Sequence, residues 1–252
     1  MKRFVISDSH GGYKALVQCL ERCGFDKGKD QLIFLGDVVD GWSETKESID
    51  LLLKLKHLVY LLGNHDQWAL KYYTGQLTQE AELKSWLRQG GAATVASYGE
   101  SKSMPPEHLE LLQQAKLYLV TDDNLLFVHA GFDTSKPLTE TDVFTLIWSR
   151  DFIENHYRSY QKGKPFHING YKEVYIGHTP TILLDKKQTT PLRMDNLILL
   201  DTGAGYTGRL SIMDIDSQQV WQSDPVMTLY PQEEGRSGLS WNDRRALGLV
   251  YI

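Results

Sequence analysis

Cysteine is nearly absent from this chain. Its 252 residues hold only Cys19 and Cys23, four apart in a helix-like pattern. That spacing reads as neighbouring helix faces, not as a disulfide framework. Long apolar runs are missing too. Met1-Lys2-Arg3 leads straight into a short strand-like segment, and no stretch reaches the length of a signal core or a membrane span. A cytoplasmic protein without membrane contact is the expectation. There is no surplus of basic charge: 27 Lys and Arg stand against 32 Asp and Glu, a net charge of −5. A general nucleic-acid surface is therefore not expected. Repeats and low-complexity tracts are lacking as well. Disorder is disfavoured by 41% hydrophobic and 23% charged residues. The length fits one large α/β domain or two small ones, and a single domain over residues 1–252 is the reading adopted.

What is present is a recurring pattern. Leu32-Ile-Phe-Leu-Gly36-Asp37-Val-Val-Asp40 is an apolar run that ends in Gly and then two carboxylates. Such a run reads as a strand buried on both faces of a parallel sheet, with its polar end at the carboxyl edge where open α/β sheets place ligands. One Asp after a strand is more often a helix cap. Here the pattern appears five times. Phe4-Val-Ile-Ser-Asp8-Ser-His10, Leu58-Val-Tyr-Leu-Leu-Gly-Asn64-His65-Asp66, Leu125-Leu-Phe-Val-His129 and Val174-Tyr-Ile-Gly-His178 complete the series.

The shared donor set is oxygen and imidazole without thiolate. It suits Mn²⁺, Fe, Zn²⁺ or a similar borderline ion and suits Ca²⁺ poorly. Two metals about 3.5–4 Å apart can clamp a phosphate ester and activate water. Asp8, His10, Asp37, Asn64, His129 and His178 suffice for such a pair, with Asp37 the natural bridge. His65 adjoins Asn64, and Asp40 follows Asp37 by three. A His that protonates a leaving alkoxide needs a carboxylate to fix its tautomer, and Asp40 can serve His65 so. The competing role for Asp40 is capping the helix near Thr45. Arg150 stands in an apolar and aromatic context and can grip phosphate bidentately. Its competing role is an ordinary salt bridge.

The chain opens as strand–helix–strand–helix–strand, which predicts right-handed parallel crossovers. Residues 66–116 read as short helices broken by Gly and Pro, a helical cap inserted between two strands. A hairpin is expected around Asp122-Asp-Asn124, two helices within 141–162, and strands at 197–200, 210–215 and 219–222. From about Pro225 a tail follows, with Glu233-Glu-Gly-Arg-Ser-Gly as a loop and then a short apolar end. Strands at both ends with helices between them predict an αββα sandwich of class α/β, two mixed sheets flanked by helices.

These motifs resemble the calcineurin-like metallophosphoesterase superfamily. Within it they most resemble the bacterial and phage phosphoprotein phosphatases, a branch related to symmetrical diadenosine tetraphosphatases. Ser7-Asp8-Ser9-His10-Gly11 is similar to GDxHG, Gly36-Asp37-Val-Val-Asp40 to GDxxD and Gly63-Asn64-His65-Asp66 to GNHE. His129-Ala-Gly131 and Gly177-His178-Thr-Pro180 match the last two motifs, and Asp201-Thr-Gly-Ala204 resembles the segment after the last ligand. The resemblance spans roughly residues 3 to 215. It implies that Asp8, His10 and Asp37 hold one divalent ion and that Asp37, Asn64, His129 and His178 hold the other. Mn²⁺ is the first expectation, with Fe, Zn²⁺ or Ni²⁺ as alternatives. It further implies direct attack on phosphorus by a bridging hydroxide, His65 with Asp40 as the general acid pair, and Arg150 and Asn64 at the substrate phosphate.

One departure stands out. The branch reads GDxxDRG and uses that Arg on the phosphate, whereas Asp40 is followed here by Gly41-Trp42. A donor worth about 1.5–3 kcal/mol of charged hydrogen bonding is missing. Arg150 alone, or another arginine such as Arg88, is the expected replacement, and Trp42 is a candidate for stacking on substrate. A phosphatase acting on phosphoserine or phosphothreonine in proteins is the leading expectation. The alternatives are a hydrolase of dinucleoside polyphosphates, with Trp68, Tyr72, Tyr73 or Trp86 lining the cap, and a phosphate-binding module without turnover. A nuclease is the weakest reading.

Overall fold

The computed structural model describes residues 1–164 and 167–237; the apolar end expected of the tail lies outside them. The chain runs β1 (Arg3–Ile6), α1 (Tyr13–Arg22), β2 (Gln31–Phe34), α2 (Thr45–Leu52) and β3 (His57–Tyr60). Four helices follow: α3 (Asn64–Tyr73), α4 (Glu80–Trp86), α5 (Ala92–Ser97) and α6 (Pro106–Gln113). Then come β4 (Tyr118–Val120), β5 (Leu125–Val128), α7 (Val143–Ile147), α8 (Asp151–Gln161) and β6 (Glu173–Ile176). The last elements are α9 (Thr181–Leu184), β7 (Leu192–Met194), β8 (Leu197–Leu199), β9 (Ser211–Asp214), β10 (Val220–Gln222) and α10 (Val226–Leu229).

Two five-stranded mixed sheets form, ordered β10-β9-β1-β2-β3 and β4-β5-β6-β8-β7. In the first, β1, β2 and β3 are parallel, with Phe4 opposite Leu32 and Leu32 opposite Leu58. In the second, β5, β6 and β8 are parallel. The side-chain period of two explains why the strands read as unbroken apolar runs. Val5, Ile33, Phe127, Tyr175 and Ile198 form the layer between the sheets. Their neighbours Phe4, Ile6, Leu32 and Phe34 point outward onto α1 and α2. Leu126, Val128, Val174 and Ile176 point the other way, into a cluster with Ile147 and Ile153 of α7 and α8. Each sheet is thus sealed on both faces, as the αββα sandwich requires.

The expected parallel pairing of β1, β2 and β3, the hairpin at 122–124 and the helices within 141–162 are all present. Short β7, α9 and α10 were not anticipated; at three or four residues they carry too little pattern to register. The helices from α3 to α6 do not form a separate core. Trp86, Tyr98, Met104 and Leu112 join the cluster on the outer face of the first sheet. Among the described residues no helix is long and apolar enough to cross a membrane.

Candidate metal centre

The ends of β1, β2, β5 and β6 meet at one edge of the sandwich, and the backbone there is bent for it. Asp8, His10, Asp37, Asp40 and His178 all have positive φ, between 49° and 68°. Left-handed backbone is uncommon outside glycine and tends to cluster at functional sites. It turns each side chain off its strand axis toward a common point. Glycines provide the clearance. A Cβ on Gly63 would collide with the Asp37 carboxylate, and one on Gly177 with Ser7 and Asp8.

Two groups of potential ligands result: Asp8, His10 and Asp37, and Asp37, His129 and His178, each with its donor atoms within 4.8 Å of one another. Asp37 belongs to both, as the sequence suggested. Asn64 Oδ1 lies 3.1 Å from His129 Nε2 and 2.9 Å from His178 Nδ1, so it joins the second group. All six expected ligands are brought together and all are buried.

The far side of every imidazole is occupied. His10 Nδ1 lies 3.1 Å from the Val39 carbonyl, His129 Nδ1 2.7 Å from Leu35, and His178 Nε2 2.9 Å from Trp148. Each carbonyl accepts the ring N–H and leaves a lone pair facing inward. Burial holds these rings neutral, with His129 lowered to about 4 and His10 and His178 also well below the ordinary value. Burial likewise raises the carboxyl groups of Asp8, Asp37 and Asp201. Inward lone pairs on three imidazoles and an amide oxygen, next to buried carboxylates, form a set that suits a cation. The donor set therefore fits a pair of borderline divalent ions.

Further groups hold this set in place. His65 N–H donates to Asp37 Oδ1 at 2.9 Å, which puts the carboxylate at the N-terminal end of α3. Asp66 accepts from the main-chain N–H of Gly63, Asp37 and Val38 and from the Tyr60 hydroxyl. It thereby ties the Asp37 turn to α3. His178 N–H donates to Asp8 at 3.0 Å, joining the two sheets. Asp66 and Asp201 lie within the motifs, yet the sequence alone does not single them out as site residues. The signal for Asp66 was its third position in a helix following Gly63, where a carboxylate reaches back to free N–H groups.

His65 Nδ1 lies 2.7 Å from Asp40 Oδ2. Asp40 also accepts from Trp86 Nε1 at 2.7 Å and from Thr94 Oγ1 at 2.7 Å. It does not cap α2, whose N-cap is Glu44. Burial raises the Asp40 carboxyl, and the Thr94 and Trp86 hydrogen bonds oppose that. Burial lowers His65, with the Arg236 charge adding to it. Nδ1–H is thus held by Asp40 and Nε2 is left toward the ligand cluster, His10 lying 5.1 Å away ring to ring.

The aromatic expectations need correcting. Trp42 is fully buried; its Nε1 donates to the Ala204 carbonyl and its ring stacks on Tyr230, so it does not face substrate. Trp86 is fully buried against Asp40, and Tyr72 packs on it. Tyr73 packs against Tyr72 and Tyr98. Trp68 lines an open cavity of about 390 Å³, with Gln67, Lys71, Glu82, Val143, Phe144 and Trp148. Arg150 is exposed, and among the described residues its guanidinium has no hydrogen-bond or salt-bridge partner. Its charge nevertheless reaches Asp37, Asp201 and His178. Arg88 is exposed in a kinked turn, Leu87–Gly91, where Gln89 and Gly90 leave helical geometry.

The fold is an α/β sandwich with two adjoining groups of potential metal ligands at one edge. The chain belongs to the calcineurin-like phosphoesterase family, whose sequence model matches residues 1–183. It is 26% identical over 222 residues to serine/threonine-protein phosphatase 1 of Salmonella typhimurium, covering 84% of this chain and 91% of that one. It is 33% identical over 280 residues to the symmetrical bis(5'-nucleosyl)-tetraphosphatase of Dechloromonas aromatica, covering 89% and 96%. A solved structure described as a candidate diadenosine tetraphosphatase superposes with a TM-score of 0.62 at 21% identity over 88% of this chain and 92% of that one. The chain is a metallophosphoesterase, a hydrolase of phosphoesters.

Proposed function

We propose that this enzyme is a dinuclear phosphomonoesterase acting on phosphoserine and phosphothreonine in proteins. Asp8, His10 and Asp37 would hold one ion, and Asp37, Asn64, His129 and His178 the second. Two divalent ions there, Mn²⁺ first and Fe, Zn²⁺ or Ni²⁺ as alternatives, supply water activation at neutral pH and charge neutralisation on the phosphoryl oxygens. The chain's own residues do the rest. Asp40 accepts from His65 Nδ1, and its charge would oppose the burial that lowers His65, so that Nε2 can carry a proton when substrate is bound. When the ester P–O bond breaks, the leaving oxygen takes that proton, and serine or threonine departs as the neutral alcohol. Asn64 and Arg150 orient the phosphate from the His129 and His178 side.

The observation that carries the protein-substrate reading is the groove beside the acid. His65 packs edge-on against Trp68 at 5.3 Å, and Trp68 against Trp148 at 4.6 Å. Beyond them the groove is open and mixed, with the exposed apolar side chains of Phe144 (64%) and Val143 (41%) on one part and Gln67 and the Lys71–Glu82 pair on another. That suits the residues flanking a phosphorylated side chain. The buried, unpaired Cys19 and Cys23 fit a reducing compartment such as the cytoplasm.

A second reading, hydrolysis of dinucleoside polyphosphates, is favoured by a different cavity. Among the described residues it measures about 720 Å³ and is lined by Lys186, Lys187, Arg209 and Arg236 together with Tyr206 and Ile182. Cations beside an aromatic ring suit a nucleotide with several phosphates. Phosphopeptide and diadenosine tetraphosphate turnover, with AMP and ADP as competitors, separates the two. Phosphopeptide turnover insensitive to AMP supports the first reading, and strong AMP inhibition with preference for the dinucleotide replaces it with the second.

A further inference from the structure

The turn after Asp40 lacks an arginine, and the structure shows what occupies that space. Gly41 has φ +127°, a conformation L side chains rarely adopt, and a Cβ there would lie 3.1 Å from Arg236 Cγ and 3.1 Å from the His10 carbonyl oxygen. The residues after Gly41 form a dock for the C-terminal segment. Trp42 stacks on Tyr230 at 5.2 Å between centroids. Ser43 donates to Glu233 from both its main chain and its hydroxyl, at 2.9 and 2.6 Å. Lys14 N–H donates to the Tyr230 hydroxyl at 3.0 Å. Arg236 N–H donates to the Gly205 carbonyl at 2.9 Å.

This docking delivers one guanidinium to the ligand cluster. Arg236 Nη1 lies 2.9 Å from His10 Nε2, Nε donates to the Gln89 carbonyl at 3.3 Å, and the group lies over the Tyr206 ring at 4.9 Å. Nε and the ring face fix the plane of the fork, and Nη2 has no hydrogen-bond partner among the described residues. Its charge acts on Asp8, Asp37, Asp40 and Asp201 alike, which marks it as central to the cluster. We propose that Arg236, carried in by the C-terminal segment against Gly41, is a substrate-phosphate-binding residue of this enzyme.

The proposal rests on the phosphoester hydrolase reading. His10 Nε2, which Arg236 now contacts, is also the ligand atom of the first group. Once His10 holds a cation, Nη1 withdraws from Nε2, and both Nη groups are left for an anion beside that cation. A planar fork with its Nε already anchored is suited to bidentate contact with two phosphate oxygens. It would meet the phosphate from the His10 side, opposite Arg150.

The test compares wild type, Arg236→Ala and Arg236→Lys as full-length, Mn²⁺-loaded proteins. Inorganic phosphate binding is measured by calorimetry, p-nitrophenyl phosphate kinetics give KM and kcat, and metal content and melting temperature are recorded. The expected result for Arg236→Ala is a phosphate Kd and a KM both raised about 10- to 100-fold, as loss of a charge-assisted pair implies. Two ions per chain are retained, and the Lys variant falls between. Phosphate affinity within twofold of wild type in a folded variant would overturn the proposal. So would tighter metal binding with raised kcat, which would make Arg236 a plug on His10. If the Ala variant fails to fold, the Lys variant decides by the same phosphate measurement. Absence of wild-type turnover with any metal would count against the hydrolase reading, whereas the calorimetric comparison still decides Arg236.

Discussion

At the scale of single residues, Asp37 and His65 separate the two tasks of the site. Asp37 is shared by both ligand groups, so its loss affects both ions. Asp37→Asn is expected to reduce bound metal below one ion per chain by elemental analysis and to leave under about 1% of turnover. His65 touches neither group as a ligand. His65→Asn is therefore expected to keep both ions while kcat falls roughly 10²–10⁴-fold, the ordinary weight of a general acid. Loss of metal in that variant would mean that its role is structural. The residue types and spacing made these positions readable, because apolar runs ending in Asp, Asn or His brought six candidate ligands to one edge of the sandwich. Arg236 was not readable. It follows its contact His10 by 226 positions and stands in a tail that carries no periodicity, and only the docking of Trp42 on Tyr230 reveals its position. Trp42 itself was misread for a related reason: an aromatic beside a motif looks like a ligand contact until the segment that buries it is known.

At the scale of elements, the strands position the site and the turns bend it. The sequence made the sandwich legible through its five apolar runs and hid the five left-handed turns, since Asp and His at positive φ leave no mark in composition. Gly63 shows how tight the turns are. Gly63→Ala is expected to lower both metal occupancy and melting temperature, because the new methyl collides with the Asp37 carboxylate; unchanged occupancy would show that the α3 entry can shift. The helices after β3 also reach the chemistry. α4 presents Trp86 and α5 presents Thr94 to Asp40. Thr94→Val preserves shape and removes a donor to a buried carboxylate. It is expected to cost about 1–3 kcal/mol of stability in a denaturant titration and to lower kcat by loosening the His65 orientation. An unaffected kcat would confine the role of these helices to packing.

At the scale of the whole molecule, the candidate metal centre is a joint between two sheets. Asp8, His10 and Asp37 follow strands of the first sheet, while His129 and His178 follow strands of the second. Their burial without a cation is unfavourable, so ions should stabilise the entire fold. At 100-fold over Kd a ligand adds about 2.7 kcal/mol. At about 2–4 °C per kcal/mol for a chain of roughly this size, Mn²⁺ should raise the chelated protein's melting temperature by about 5–10 °C. A melting temperature indifferent to metal would place the ions elsewhere.

The central claim is that one buried cluster built on Asp37 makes this chain a metal-dependent phosphoester hydrolase. Its most direct test is p-nitrophenyl phosphate turnover by chelator-stripped protein, resupplied with Mn²⁺, Ni²⁺, Zn²⁺ or Mg²⁺ in turn, with Asp37→Asn in parallel. The account predicts no turnover when stripped, recovery with Mn²⁺ in wild type and none in the variant. Turnover that survives chelation, or that Asp37→Asn retains, would contradict it.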